Sequence, residues 1–313
     1  MRPVEITLLL VSLLILTSCS KQKELTNEEG FVEVAGGKIW YRVTGQGNKT
    51  PILMLHGGPG LPSYYFNPLR NIGKERKLIT FDQLGCGRSD RISDTTLMTI
   101  DNYINQVKTL IDHLDIKEFY LYGHSWGTML GMDYYLKYPE GIKGLILASP
   151  CLSSKLWETD ADRLISDLPD STQKVLRNDI SGIKQDSSTL MNAIYEYAFT
   201  YYYRKKPISA DIDSCASQMG SNVYKYMWGE SEYLVTGTLK SYDRIDNLKD
   251  IKIPCLFIAG EFDSATPVTV KYYQSLTPNA QFKIIKNAGH MTMHDNPEED
   301  IKAISEFLNE LAH

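Results

Sequence analysis

The sequence predicts an α/β fold in which a mostly parallel central sheet is flanked by helices and a helical cap is inserted late in the chain. Three observations lead there. Short apolar runs recur at Pro51 to Leu55, Lys77 to Phe81, Glu118 to Tyr122, Leu145 to Ala148, Ile253 to Ala259 and Gln281 to Ile285, as expected of strands buried on both faces. Helical patterns lie between several of these runs, for example at Asn102 to Leu114 and Met129 to Tyr138, so strand and helix alternate as in parallel crossover units. The alternation stops after Pro150 and resumes near residue 244.

Taken in order, the chain opens on Met1 and Arg2, an apolar run from Ile6 to Leu16, and then Leu16-Thr17-Ser18-Cys19. The run has the length of a signal-peptide core and falls short of the roughly 20 residues of a membrane-spanning helix. The four residues that follow resemble the lipobox of bacterial lipoproteins, which implies cleavage before Cys19 and its lipidation. The polar stretch from Ser20 to Glu29 reads as a flexible tether. Phe31 to Ala35 and Lys38 to Thr44 flank Gly36-Gly37, a two-residue hairpin signal. From Cys151 to about Asp243 the chain is rich in polar and aromatic residues and carries helical patterns such as Leu190 to Tyr203. The expected organisation is therefore a signal peptide over 1–18, a lipidated cysteine and tether over 19–29, a core from 30–150 and 244–313, and a helical cap over 151–243. Tyr195, Tyr197, Tyr201, Tyr202 and Tyr203 have two readings, packing between helices or lining a substrate pocket.

Composition limits the partners. A formal charge of -5, with no block of Lys or Arg, gives no electrostatic surface for nucleic acid, and the expected contact with a membrane is the N-terminal lipid alone. A small molecule remains as the expected partner. No Cys or His cluster calls for a metal and no cofactor motif is present. Export would place Cys86, Cys151, Cys215 and Cys255 where disulfides form, yet none shows a paired spacing and Cys255 sits in an apolar run.

Gly123-His124-Ser125-Trp126-Gly127 lies between a buried-strand run and a helix, the setting that lifts a serine hydroxyl above a sheet on a tight turn. A serine hydroxyl needs a base and a group to orient that base. Asp263 follows the run Ile253 to Ala259 and His290 follows Gln281 to Ile285, which places both at carboxyl ends of strands. Ser125, Asp263 and His290 are thus the expected nucleophile, orienting acid and base. Glu261 is the rival acid. His294, four residues beyond His290, has a metal-like spacing with no third ligand, while His56 and His124 read as braces. His56-Gly57-Gly58-Pro59-Gly60 follows another strand, and the N–H groups of Gly58 and Trp126 are the expected oxyanion donors.

With these segments, Asp82-Gln83-Leu84-Gly85-Cys86-Gly87-Arg88-Ser89, Gly260 to Pro267 and Ala288 to Pro297, the chain resembles the proline iminopeptidases and related aminopeptidases of the serine α/β-hydrolase group, including the tricorn-interacting factor. The resemblance spans nearly all of residues 31 to 310. It implies an α/β-hydrolase fold and release of N-terminal residues, proline among them, from short peptides through an acyl-enzyme. It also implies that Glu232, in Met227 to Tyr233, holds the substrate's ammonium by a charge-assisted hydrogen bond. One position departs from the pattern: close relatives often carry a second glutamate after the aspartate, and here that residue is Ser264. The alternative chemistry is an esterase, lactonase or amino-acid amidase on the same triad.

Overall fold

The structure, a computed structural model, describes residues 25–311. The signal segment 1–18 and Cys19 lie outside the described residues.

Eight strands form one sheet: β1 Glu28–Val34, β2 Gly37–Thr44, β3 Lys49–Leu55, β4 Arg76–Phe81, β5 Phe119–His124, β6 Ile142–Ala148, β7 Cys255–Gly260 and β8 Ala280–Ile285. Their spatial order is β1-β2-β4-β3-β5-β6-β7-β8. The β1–β2 and β2–β4 pairs are antiparallel and all others are parallel. β5 and β7 are buried at every position, which explains why they read as unbroken apolar runs. The hairpin signal is realised with Gly36 and Gly37 both at positive φ (96° and 147°).

Strand β1 starts within the stretch that the composition marks as tether. Glu28 pairs with Val43 and Glu29 with Arg42, whose guanidinium also bridges the Glu29 carboxylate. An edge strand exposes one side to water, so polar residues join it without cost to the core, and apolar patterning alone misses them.

Two helices follow, α1 Ile100–His113, which packs on the edge strand β1 and on its neighbour helix, and α2 Trp126–Lys137, which packs on β3, β5 and β6. The first is capped by Thr99, whose hydroxyl accepts the Asn102 N–H. Between β6 and β7 run α3 Ser154–Ser166, α4 Asp170–Ile180, α5 Ser187–Tyr201, α6 Ala210–Ser217 and α7 Ser221–Met227. The two ends of this insertion meet: Ser153 bridges Asp243, Ser154 N–H donates to Tyr242 O and Arg244 N–H donates to Leu152 O. α8 Pro267–Leu276, α9 Thr292–Asp295 and α10 Pro297–Glu310 complete the chain. The strand order reverses between β3 and β5, and such switch points open a crevice at the strand carboxyl ends. The residues described next converge there.

Candidate active site

Ser125 occupies the turn between β5 and α2 at φ 55° and ψ -123°, a conformation that costs a non-glycine residue about 1–3 kcal/mol. Its glycine neighbours make the turn possible. A Cβ on Gly123 would stand 2.4 Å from Gly127 O, and one on Gly127 only 2.1 Å from Leu55 O. Ser125 is part-exposed while residues 121 to 130 on either side of it are buried, so the elbow presents this one side chain. No side chain caps the amino end of α2, and the Trp126 N–H, among the described residues, has no protein acceptor.

The Asp263 carboxylate is held by four donors. Oδ1 accepts from His290 Nδ1 at 2.8 Å and Ala265 N at 2.8 Å, and Oδ2 from Ser149 Oγ at 2.6 Å and Gly260 N at 3.1 Å. Asp263 and His290 are buried. With Nδ1–H on Asp263, Nε2 of His290 is free to accept a proton. Glu261 lies elsewhere, accepting the Asn287 N–H and facing Lys286. Ser149, just past β6 at φ 47°, was missed in the sequence; the only signal there was a polar residue directly after a buried strand.

The glycine loop after β3 is braced in turn. His56 Nε2 accepts the Gln83 N–H at 2.9 Å, so its Nδ1–H donates to Gly57 O at 3.0 Å. Gln83 returns a bond to His56 O and accepts the Trp126 indole N–H at 2.8 Å. Asp82 fastens the same segment through Ser63 and the Arg88 N–H. Gly58, at φ 112°, is part-exposed, and among the described residues its N–H has no acceptor. A second chain runs from the Gly57 N–H to Tyr65 Oη (2.6 Å), on to His124 Nδ1 (3.1 Å), and from His124 Nε2 to His290 O (2.9 Å). Burial lowers the His124 imidazole to about 3, consistent with a neutral ring that passes this chain along. His294 joins none of the triad's hydrogen bonds: it donates to Tyr65 O and bonds Ser209, the cap of α6, tying the insertion to the core. Cys86, Cys151, Cys215 and Cys255 are buried free thiols.

A cavity of about 280 Å³ is lined by Tyr197, Tyr202, Tyr203, Tyr224, Glu232 and Tyr233, and the Tyr202 ring in its wall lies 4.8 Å from that of His290. Three of the five candidate tyrosines therefore reach the cavity. Tyr201 instead buries its hydroxyl on Leu164 O, and Tyr195 is exposed. Glu232 is exposed where it opens onto the cavity, and the protein around the rest of its side chain strips part of its hydration. That desolvation raises its carboxyl above the usual range, opposed by the Tyr224 and Tyr202 hydroxyls and by His290. Tyr202 Oη donates to Glu232 Oε2 at 3.2 Å, and the Trp157 indole N–H holds Glu232 O at 2.7 Å. A carboxylate so placed favours a cationic ligand that restores the lost solvation.

Residues 50–297 match the family model of the alpha/beta hydrolase fold. The chain is 38% identical over 286 residues to a proline iminopeptidase of Heyndrickxia coagulans, covering 90% of this chain and 99% of that protein. It is 34% identical over 288 residues to a proline iminopeptidase of Clostridioides difficile, covering 90% and 98%. Among solved structures, the proline iminopeptidase of Mycobacterium smegmatis superposes with a TM-score of 0.85 at 28% identity, covering 91% of this chain and 98% of that one.

Proposed function

The chain belongs to the proline iminopeptidase family of α/β hydrolases and is a serine aminopeptidase, and on that premise we propose that Ser125 is its nucleophile, His290 its base and Asp263 the acid that orients the base. The observation that carries this assignment is the Asp263–His290 pair at 2.8 Å, with Asp263 secured by three further donors, at the same strand ends as the strained Ser125.

In the proposed reaction the substrate's N-terminal ammonium rests on Glu232 and its first carbonyl lies over Ser125. His290 Nε2 takes the hydroxyl proton as Ser125 Oγ attacks, and the Gly58 and Trp126 N–H groups receive the oxyanion, each such donor typically supplying about 3–4 kcal/mol. On collapse His290 returns the proton to the departing peptide nitrogen. The acyl-enzyme is then hydrolysed by water that His290 deprotonates, freeing the N-terminal residue. The cavity, at about 280 Å³, lies at the small end of ligand pockets, which suits one residue, with proline among those accepted. In this reading residues 151–243 form the cap and 30–150 with 244–313 the core.

The test is kcat/KM on proline, alanine and phenylalanine p-nitroanilides, their N-acetylated forms and p-nitrophenyl acetate, beside Ser125→Ala and Glu232→Gln. Cleavage of free-amine anilides in preference to blocked ones, with that preference lost in Glu232→Gln, is expected. Turnover of the ester alone, indifferent to Glu232, would replace this reading with the esterase, lactonase or amidase alternative. The neutral Ser264, standing where relatives often place a glutamate, is what keeps that alternative in view.

The N-terminus extends the proposal: residues 1–18 direct export, Cys19 is lipidated, and the enzyme works anchored to a membrane by that lipid, on its periplasmic or cell-surface side. Sequence pattern alone supports this. Metabolic labelling with palmitate is expected to mark the protein and to fail for Cys19→Ala; labelling that persists in the variant refutes it.

A further inference from the structure

Three contacts converge on Tyr202, the residue just past α5. Its carbonyl accepts the Met291 N–H at 3.1 Å while the adjacent Tyr201 carbonyl accepts the His290 N–H at 2.8 Å, so the end of α5 is clipped to the loop that carries His290. Its ring lies 4.8 Å from the His290 ring, centroid to centroid. Its hydroxyl donates to Glu232 Oε2 at 3.2 Å.

Ser264 is buried beside the base, with its Oγ 3.2 Å from His290 Nδ1. The Nδ1 hydrogen of His290 is directed at Asp263 Oδ1, and the Tyr202 hydrogen goes to the Glu232 carboxylate, which only accepts.

We propose that Tyr202 is a positioning residue that holds Glu232 in register with His290 and so sets the distance from the substrate's N-terminus to the reacting carbonyl. The proposal rests on the aminopeptidase reading. A glutamate side chain pointing into a cavity has several rotamers, and ordering one of them has an entropic cost; the Tyr202 hydroxyl selects the rotamer, and the clip between α5 and the His290 loop refers it to the base. A substrate whose ammonium meets Glu232 then has its first carbonyl, and not its second, at the nucleophile.

The experiment compares kcat/KM for alanine p-nitroanilide and p-nitrophenyl acetate in wild type, Tyr202→Phe, Glu232→Gln and the Tyr202→Phe/Glu232→Gln double variant. Tyr202→Phe keeps the ring and the backbone clip and loses only the hydroxyl. It is expected to lower the ratio of anilide to ester kcat/KM about tenfold, chiefly through the anilide KM. In the Glu232→Gln background the same change is expected to lower the ratio no further, because the hydroxyl acts through that carboxylate. Equal losses on both substrates in Tyr202→Phe, or losses that multiply in the double variant, overturn the proposal. A wild-type enzyme that turns over the ester and no free-amine anilide overturns the aminopeptidase reading itself, and the register with it, an outcome distinct from the first two.

Discussion

Gly57→Ala separates damage to the site from damage to the fold. The backbone at Gly57 is not in the left-handed region, so alanine is conformationally acceptable there, but its methyl would lie 3.1 Å from Ser125 Cβ and 3.3 Å from both His124 O and Tyr65 Oη. Carbon atoms pack best at about 3.5–4.0 Å, so the methyl and the nucleophile must part by about 0.5 Å. Displacing a reacting group by about 1 Å costs on the order of a hundredfold, and half that displacement predicts roughly a tenfold loss in kcat. Overpacking of this size typically costs about 1–3 kcal/mol of stability, a cost a folded enzyme of this length tolerates. The companion Gly127→Ala forces a Cβ to 2.1 Å from Leu55 O, backbone against backbone, and is expected to fail to fold. The assay is the rate of Ser125 labelling by a fluorophosphonate probe, together with kcat for p-nitrophenyl acetate and the Tm of each variant. A Gly57→Ala enzyme that labels and turns over within about twofold of wild type refutes the reasoning, since the glycine loop would then not press on the nucleophile.

Ser149→Ala removes the 2.6 Å bond to Asp263; hydrogen bonds to charged groups contribute about 1.5–3 kcal/mol, so kcat is expected to fall roughly ten- to a hundredfold, read by steady-state kinetics, with wild-type KM. Asp263→Asn reverses a donor–acceptor relation with His290 and favours the wrong tautomer, so a loss in kcat on the order of 10⁴ is expected while the fluorophosphonate-free protein keeps its near-UV circular dichroism. Asp300 is buried, and desolvation lifts its carboxyl to about 7. The folded state thus keeps a proton that the unfolded chain loses near its ordinary value, and stability from this group is full at low pH and lost as pH rises through about 7. Asp300→Asn, which still accepts from Thr292 Oγ1, is expected to raise Tm at pH 8 more than at pH 5; equal shifts at both would be evidence against it.

Much of the molecule was legible because its signals are local. The elbow at Gly123 to Gly127 is a requirement of one turn, and the buried strands announce themselves by unbroken apolar runs such as Cys255 to Gly260. Where a strand sits at the sheet edge the signal weakens: β1 begins at Glu28, within the stretch read as tether, because half of an edge strand faces water. Asp263 and Glu261 follow the same strand, and local sequence ranks them only by distance from it. Their separation in space depends on Ser149, Gly260 and Ala265, which donate to Asp263 and not to its rival.

By itself, then, the sequence determined the residue types and the turns: a serine on a strained elbow, an acid and a histidine at the ends of two later strands, a glycine loop after an early one, and a helical insertion. These follow from chain geometry over a few residues. Tertiary structure alone decided the strand order, which aligns β5, β6 and β7 so that Ser125, Ser149 and Asp263 share one edge of the sheet. It also decided which tyrosines of the insertion turn inward, and it linked Tyr202 to both Glu232 and His290. Such contacts join residues dozens of positions apart, and their energies depend on distance and burial that no local pattern encodes.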